Sequence, residues 1–459
     1  VKAAAKDAYS RLIFPPIERE MRSALTEKAS EDAIKVFSQN LRQLLMQPPV
    51  KDSVTIGLDP GYRTGCKVAV VDGTGKVLDV GVIYPVPPHE KKEEAKKIIK
   101  DLVKKHNVRT FAIGNGTASH ETEVFAAEVI SEINDGLSYM VVSEAGASVY
   151  SASKLAAKEF PDYDVSLRSA VSIARRLQDP LSELVKIDPK AIGVGQYQHD
   201  MPQNRLSAAL DGVVETCVNE VGVDLNTASV SLLSAVAGVN GTVAQNIVNY
   251  REENGRFKNR NELKKVAKLG PKAFLQCAGF LRIADGSCAL DNTAVHPESY
   301  KAAEELLGIF GFTDSDILKG GLKTLGEKAE GFGFEPLSEK LGIGVPTLKD
   351  IISELQKPGR DPRDELPRPL LRQDVMSLED LKSGMELKGT VRNVVDFGAF
   401  VDIGVHEDGL VHISQICDRF IKHPGEVLHV GDVINVRVLD VDLKKKRISL
   451  TAKGVPQNG

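Results

Sequence analysis

Apolar residues recur three and four positions apart through the first 47 residues, at Leu25, Ala29, Ala33, Val36, Phe37, Leu41, Leu44 and Leu45. That spacing predicts helices, with Pro15-Pro16 expected to break the stretch and Pro48-Pro49 to end it. The period then changes to that of strands. VTIGLD, GCKVAVVD and KVLDVGVIYP, with a turn at Gly73-Thr74-Gly75, predict three strands in a meander. A helix over 93–103, a strand over 110–114, a helix over 122–133 and a strand over 137–143 follow, and strands alternating with helices imply an α/β layer. Residues 146–187, 203–285 and 297–357 read as helical. The stretch PGRDPRDELPRP, 358–369, has four prolines in twelve residues and no apolar period, so a linker is expected there. From 384 to 452, short alternating strands with glycine turns predict a small all-β barrel.

Length agrees with this division, since 459 residues predict three or four folded units. The expected boundaries are a helical tail at 1–50, an α/β domain at 51–190, helical units at 203–285 and 286–357, a linker at 358–380 and a barrel at 383–453. Because the chain opens at Val1 inside a helical pattern, an upstream part is expected to be missing. Lys and Arg number 59 against 63 Asp and Glu, a formal charge of -4. Any polyanion surface must therefore be a local patch. One exists: residues 222–285 hold nine basic against five acidic residues, whereas 286–357 hold seven against twelve. The five cysteines include no CxxC pair, which argues against a zinc ribbon or a disulfide framework and for a reducing cytoplasm. No apolar run approaches the ~18 residues of a membrane span. Neither a P-loop nor a GxGxxG fingerprint occurs, so an ATP motor or a dehydrogenase is not indicated.

The barrel segment carries the most specific motif, GMELKGTVRNVVDFGAFVDIGVHEDGLVHIS followed by GDVINVRVLDVDLKKKRISLT. Phe397, Phe400 and His412 fall on neighbouring strands and offer flat faces on which single-stranded bases stack. Lys388, Arg392 and Arg447 are the basic residues available to phosphates around them. An isolated aromatic pair in a barrel is as readily core. The segment, however, resembles the S1-type OB-fold module of RNA-binding proteins over nearly all of 384–452. That resemblance implies stacking by Phe397, Phe400 and His412, with Asp442 and Arg447 as edge contacts.

Two hairpins are legible between helices in 225–276, one at Gly238-Val239-Asn240-Gly241 and one at Leu269-Gly270-Pro271-Lys272. Glycine permits the tight turn, and the next helix begins with unpaired backbone N–H groups that can hold a phosphate. One such turn is more often a helix cap. Two in tandem, in a basic setting, resemble the helix-hairpin-helix motif of DNA-uptake and repair proteins. Gly238, Gly241, Gly270 and Lys272 are the candidate contacts. A third turn, LGIGVPTLKDII at 341–352, lies in an acidic setting that suggests packing.

The α/β region resembles the RNase H-like fold of the YqgF and RuvC resolvase group. Nucleases of this fold hold two divalent ions with several carboxylates. Here Asp59 ends the first strand and Glu144 follows the fifth, but Asn115 stands after the fourth. The helix DVSLRSAVSIARRL brings Arg168 or Ser169 where another acid is needed, with Asp164 a turn earlier. A degenerate centre serving as a docking scaffold is expected. Cys66 follows a glycine turn with no base nearby in sequence.

In this order the modules resemble the Tex family of transcription accessory proteins. The resemblance implies a multidomain chain: an RNase H-like α/β domain, tandem helix-hairpin-helix, a helical domain and a C-terminal OB-fold barrel. It implies a cytoplasmic RNA- and nucleic-acid-binding protein associated with transcription or translation, without an assigned reaction; RNA is the expected partner and DNA is left open, the hairpins gripping phosphate backbones. Two alternatives stay open: a metal-dependent, structure-specific nuclease using Asp59 and Glu144, and a scaffold on RNA polymerase or the ribosome. No cofactor is expected, Mg²⁺ entering only with nuclease activity.

Overall fold

The structure, a computed structural model, describes residues 1–457 apart from 134, 321, 367–368, 374–380, 406 and 444. Five strands form the first sheet: β1 (Thr55–Asp59), β2 (Cys66–Val71), β3 (Val77–Ile83), β4 (Thr110–Gly114) and β5 (Ser138–Val142), in the order β3-β2-β1-β4-β5. The first three are an antiparallel meander, while β4 and β5 run parallel to β1. Residues 56–58 of the central strand are fully buried, as a strand covered on both faces must be.

Helices Lys92–His106 and Ser119–Ile133 cover one face of the sheet, packing Ile99, Phe125 and Val129 on Leu58, Phe111 and Ile113. The first of them outruns its apolar period at both ends. Glu93 and Glu94 favour its positive N-terminus, Lys104, Lys105 and His106 its negative C-terminus, and Asn107 closes it in the left-handed conformation. Helix Val165–Gln178 covers the other face, burying Ala170, Val171 and Ala174 against Ala69 and Val71. This contact depends on Gly57: a Cβ there would collide with the carbonyl oxygen of Ala170 and lie 2.9 Å from the Cβ of Ala174. The helix therefore rests directly on the backbone of β1.

Pro15-Pro16 does not break the N-terminal helix. Helix Lys2–Ala8 passes through a π-wound turn, Tyr9–Ile13, into Phe14–Leu45, and the prolines occupy its first turn. The wider turn relieves the carbonyl that a proline ring would strike four residues back. Only the second half of this helix is in the core, through Ile34, Phe37, Leu41 and Leu45.

Those residues share one core with helix Gln203–Val221 and with helices Val230–Ser234, Gly241–Asn254 and Pro271–Cys277. A two-residue parallel pair, β6 (Val223–Asp224) with β7 (Leu281–Arg282), closes the unit. Arg260, 1% exposed, ties it to the next: its guanidinium donates to the carbonyls of Leu281, Thr293 and Val295 and to the Tyr300 hydroxyl, which donates to Asp291. Helices Tyr300–Phe310, Leu325–Phe332, Phe334–Leu341 and Val345–Gln356 build a separate core around Leu306, Leu325, Leu337 and Leu348.

The proline-rich segment is not a free tether at its start. A 3₁₀ turn, Pro362–Glu365, is pinned by Arg363, which reaches Asp361 at 2.9 Å and Asp179 at 2.7 Å, while Lys51 pairs with Asp361 and Asp364. Further on, Arg372 bonds the backbone of Tyr139 in both directions, at 2.7 and 2.8 Å, as an isolated antiparallel bridge to β5. The rest of the expected linker, 374–380, lies outside the described residues. Beyond it β8 (Glu386–Val395), β9 (Gly398–Asp402), β10 (Gly409–His412), β11 (Val433–Asp442) and β12 (Arg447–Thr451) close a barrel in the order β10-β12-β11-β8-β9, filled by Val391, Val401, Val411, Val436 and Leu450.

Candidate nucleic-acid interface

Side chains alternate across each barrel strand. Ala399, Val401 and Val411 point in, so Phe400 of β9 and His412 of β10 point out. Phe400 stands opposite Leu410, and His412 opposite Gly398. Phe397, at the mouth of the β8–β9 hairpin, is 51% exposed and meets Phe400 edge to face, with centroids 6.2 Å apart and planes at 87°. Its carbonyl accepts from the Ile413 N–H at 2.9 Å, and the His412 ring is held through Nδ1 by the Ser414 hydroxyl. The three predicted rings thus share one outward face. Arg447 and Asp442 are cross-strand partners at the end of the β11–β12 hairpin, and Ser449, two residues on from Arg447, pairs with Leu410.

The other two basic candidates are elsewhere. Lys388 is exposed and opposite Asn435, five residues along β8 from the position that faces Phe400, or about 16 Å. Arg392 does not present a free guanidinium. It lies on Asp402, with Nη2 at 2.6 Å and Nε at 3.1 Å, and Arg372 holds the other oxygen of that carboxylate at 2.6 Å. These groups line a cavity of about 360 Å³ between the barrel and the α/β domain, with Tyr62, Asn115 and His120 on the far side.

In the first hairpin, Gly238 has φ +80°, and a Cβ would lie 2.7 Å from that of Gln276. Asn240 caps the next helix, its side chain accepting from the Val243 N–H and its carbonyl from Ala244. The first two N–H groups of that helix, on Gly241 and Thr242, are left for a ligand. The second hairpin repeats the geometry, with Lys268 at φ +66° in the place of Gly238 and Gly270 as the cap before Pro271. Gly241 and Gly270 border open space, and Lys272, two residues after Gly270, is exposed.

At the strand ends of the α/β domain, the Asp59 carboxylate accepts a hydrogen bond from Ser169. Burial first, then the charge of Glu144, push its pKa up to about 6, against the pull of Ser169 and of Lys67. Arg168 is not in this cluster: its guanidinium turns back to the carbonyls of Phe160 and Ser151. Asp164 is spent as the cap of the helix, accepting from Leu167 and Ser166. Asn115 accepts from the Glu144 N–H at 2.9 Å. Lys67, opposite Asp59 in the β1–β2 ladder, is 8% exposed and donates to the carbonyls of Thr64 and Gly65. Sequence reasoning missed it, although its parity on β2 marks it. A two-ion centre needs more acids than Asp59 and Glu144, and here an amide, a hydroxyl and an ammonium surround them. The residues do not fit a pair of divalent ions, and no group of three metal-ligating side chains occurs among the described residues. Cys66 is fully buried, and burial pushes its thiol up.

Four family models match the chain: Tex protein YqgF-like domain over 53–178, helix-hairpin-helix motif over 218–282, HHH domain over 289–363 and S1 RNA binding domain over 380–453. The third match takes in the turn at 341–345, so that turn lies within a helix-hairpin-helix domain. "Uncharacterized protein YdcI" of Bacillus subtilis is 56% identical over 97% of this chain and 62% of its own length. "Transcriptional accessory protein Tex" of Neisseria gonorrhoeae is 52% identical over 96% and 57%. The human "S1 RNA-binding domain-containing protein 1" is 41% identical over 97% and 50%. The chain thus spans between half and about three fifths of these curated relatives.

Proposed function

The chain belongs to the Tex family, and from that premise we propose that it is a nucleic-acid-binding transcription accessory protein. The barrel takes single-stranded RNA, and the hairpins take phosphate backbones. The observation that carries this reading is the outward face of Phe397, Phe400 and His412, to whose edge the reading assigns Arg447 and Asp442. Stacking on such a face contributes about 1–3 kcal/mol per base and accepts any base. Specificity would then come from which strands are accessible and not from base identity.

The hairpins act differently. Two helix starts in a segment with a basic surplus can hold consecutive phosphates without reading sequence. The strand-end pair Asp59–Glu144 has no step in this function. A cytoplasmic setting, with RNA polymerase or the ribosome as the platform, completes the proposal. The test is fluorescence anisotropy with a labelled oligouridylate: Phe397→Ala, Phe400→Ala and His412→Ala should each weaken binding by about 5-fold or more. Affinity should also fall as salt rises. Unchanged affinity in all three variants would sink the single-strand reading.

A further inference from the structure

Phe420 is 90% exposed, more than any other phenylalanine of the described residues. It sits in the segment between β10 and β11, yet the backbone that carries it is fixed. Ile416 and Ile421 on either side are in the barrel core, and Pro424 is buried. The N–H groups of Lys422 and His423 both donate to Glu426, within a capping box that also uses the His423 ring. The ring therefore projects into solvent from this turn, although burial of a phenylalanine is favourable.

Its place relative to the stacking face is set by one contact. The His423 Nε2 lies 3.2 Å from Asp396 Oδ1, and Asp396 immediately precedes Phe397. Arg419 and Lys422 flank the ring, both exposed and neither with a carboxylate within 4 Å among the described residues. The surrounding side chains Asp418, Arg419, Lys422 and His423 are polar and exposed. A protein-docking anchor is normally set in a packed apolar patch. A lone ring with a cation on each side instead matches a base with a phosphate on each side.

We propose that Phe420, with Arg419 and Lys422, is a further stacking station for single-stranded RNA, next along the strand from Phe397. This rests on the single-strand reading of the barrel and extends the bound length beyond the Phe397, Phe400 and His412 face.

The test uses the full chain and oligouridylates of about 4 to about 16 nucleotides. Phe420→Ala should weaken the longest oligonucleotides by about 5- to 100-fold and leave the shortest unchanged. Phe397→Ala should weaken all of them. Because the chain contains no tryptophan, Phe420→Trp supplies a single indole whose emission should be quenched by a long oligonucleotide and not by a short one. If Phe397→Ala weakens binding while Phe420→Ala changes nothing at any length and the indole stays unquenched, the added station is overturned. Should Phe397→Ala also change nothing, the reading beneath it falls as well.

Discussion

Arg392 and Asp402 meet at two points, with Nη2 at 2.6 Å and Nε at 3.1 Å from the same carboxylate oxygen, while Arg372 takes the other. One carboxylate, 6% exposed, thus balances a guanidinium of the barrel and one from the segment bridged to β5. Burial works to raise its pKa, but Arg392 and Arg372 outweigh burial and hold it below the usual carboxylate range. Its contribution to stability is present above about pH 4 and lost as pH falls through the lower, folded value. Asp402→Asn should cost on the order of 1–3 kcal/mol at pH 7, because Arg372 loses its carboxylate and Arg392 keeps only Asp408, at 3.8 Å. Thermal melts at pH 7 and pH 3 check this: the gap between wild type and variant should narrow in acid.

Asp59 has the opposite sign. Burial and Glu144 lift it to about 6, so the folded protein binds more protons than the unfolded chain between about pH 4 and pH 6, and stability falls across that window as pH rises. Asp59→Asn should remove the fall and gain on the order of 2 kcal/mol at pH 7. Carbon-detected NMR of the carboxyl should show a midpoint near 6, moving down in Glu144→Gln. A midpoint near 4 in the wild type would contradict the burial account.

The glycines of the hairpins should separate by role. Gly238→Ala puts a Cβ 2.7 Å from Gln276 at φ +80° and should lower stability by about 1–3 kcal/mol, read by chemical denaturation. Gly241→Ala and Gly270→Ala enter open space. They should leave stability within about 1 kcal/mol yet weaken duplex binding, measured by anisotropy, if the hairpins hold phosphates as proposed.

Arg363→Met should free the start of the proline-rich segment. Its guanidinium is 3% exposed and joins Asp179, 184 residues away, to Asp361. Its loss should cost roughly 3 kcal/mol and expose 357–366 to limited trypsin digestion, with mass spectrometry locating the cut. Wild type should resist cleavage there under the same conditions.

Much of this architecture is legible along the chain, because each module is built from short-range pattern. Alternation gives the strands, Gly238 and Asn240 mark the first hairpin, and the spacing of Phe397, Phe400 and His412 gives the face. What is not legible depends on distant partners. Arg392 reads as a phosphate contact until Asp402 folds back across the hairpin and Arg372 arrives from the linker. Whether Arg168 or Ser169 meets Asp59 is a matter of helix phase. It is decided by the contact of Ala170 with Gly57, which no local pattern encodes. Phe420 lacked a periodic signal altogether, since a residue in an irregular turn belongs to neither period.

The bridge between Tyr139 and Arg372 has a consequence for solubility. β5 is one of the two outer strands of its sheet, and Tyr139 is one of the residues whose backbone N–H and C=O face away from β4. An outer strand left open is a template for intermolecular pairing and aggregation. By occupying both groups with Arg372 of its own chain, the protein blocks that template near the strand's start. The barrel, being closed, offers no such edge. A variant that loosened the linker would thus expose a self-association site before it lost any of its folded domains.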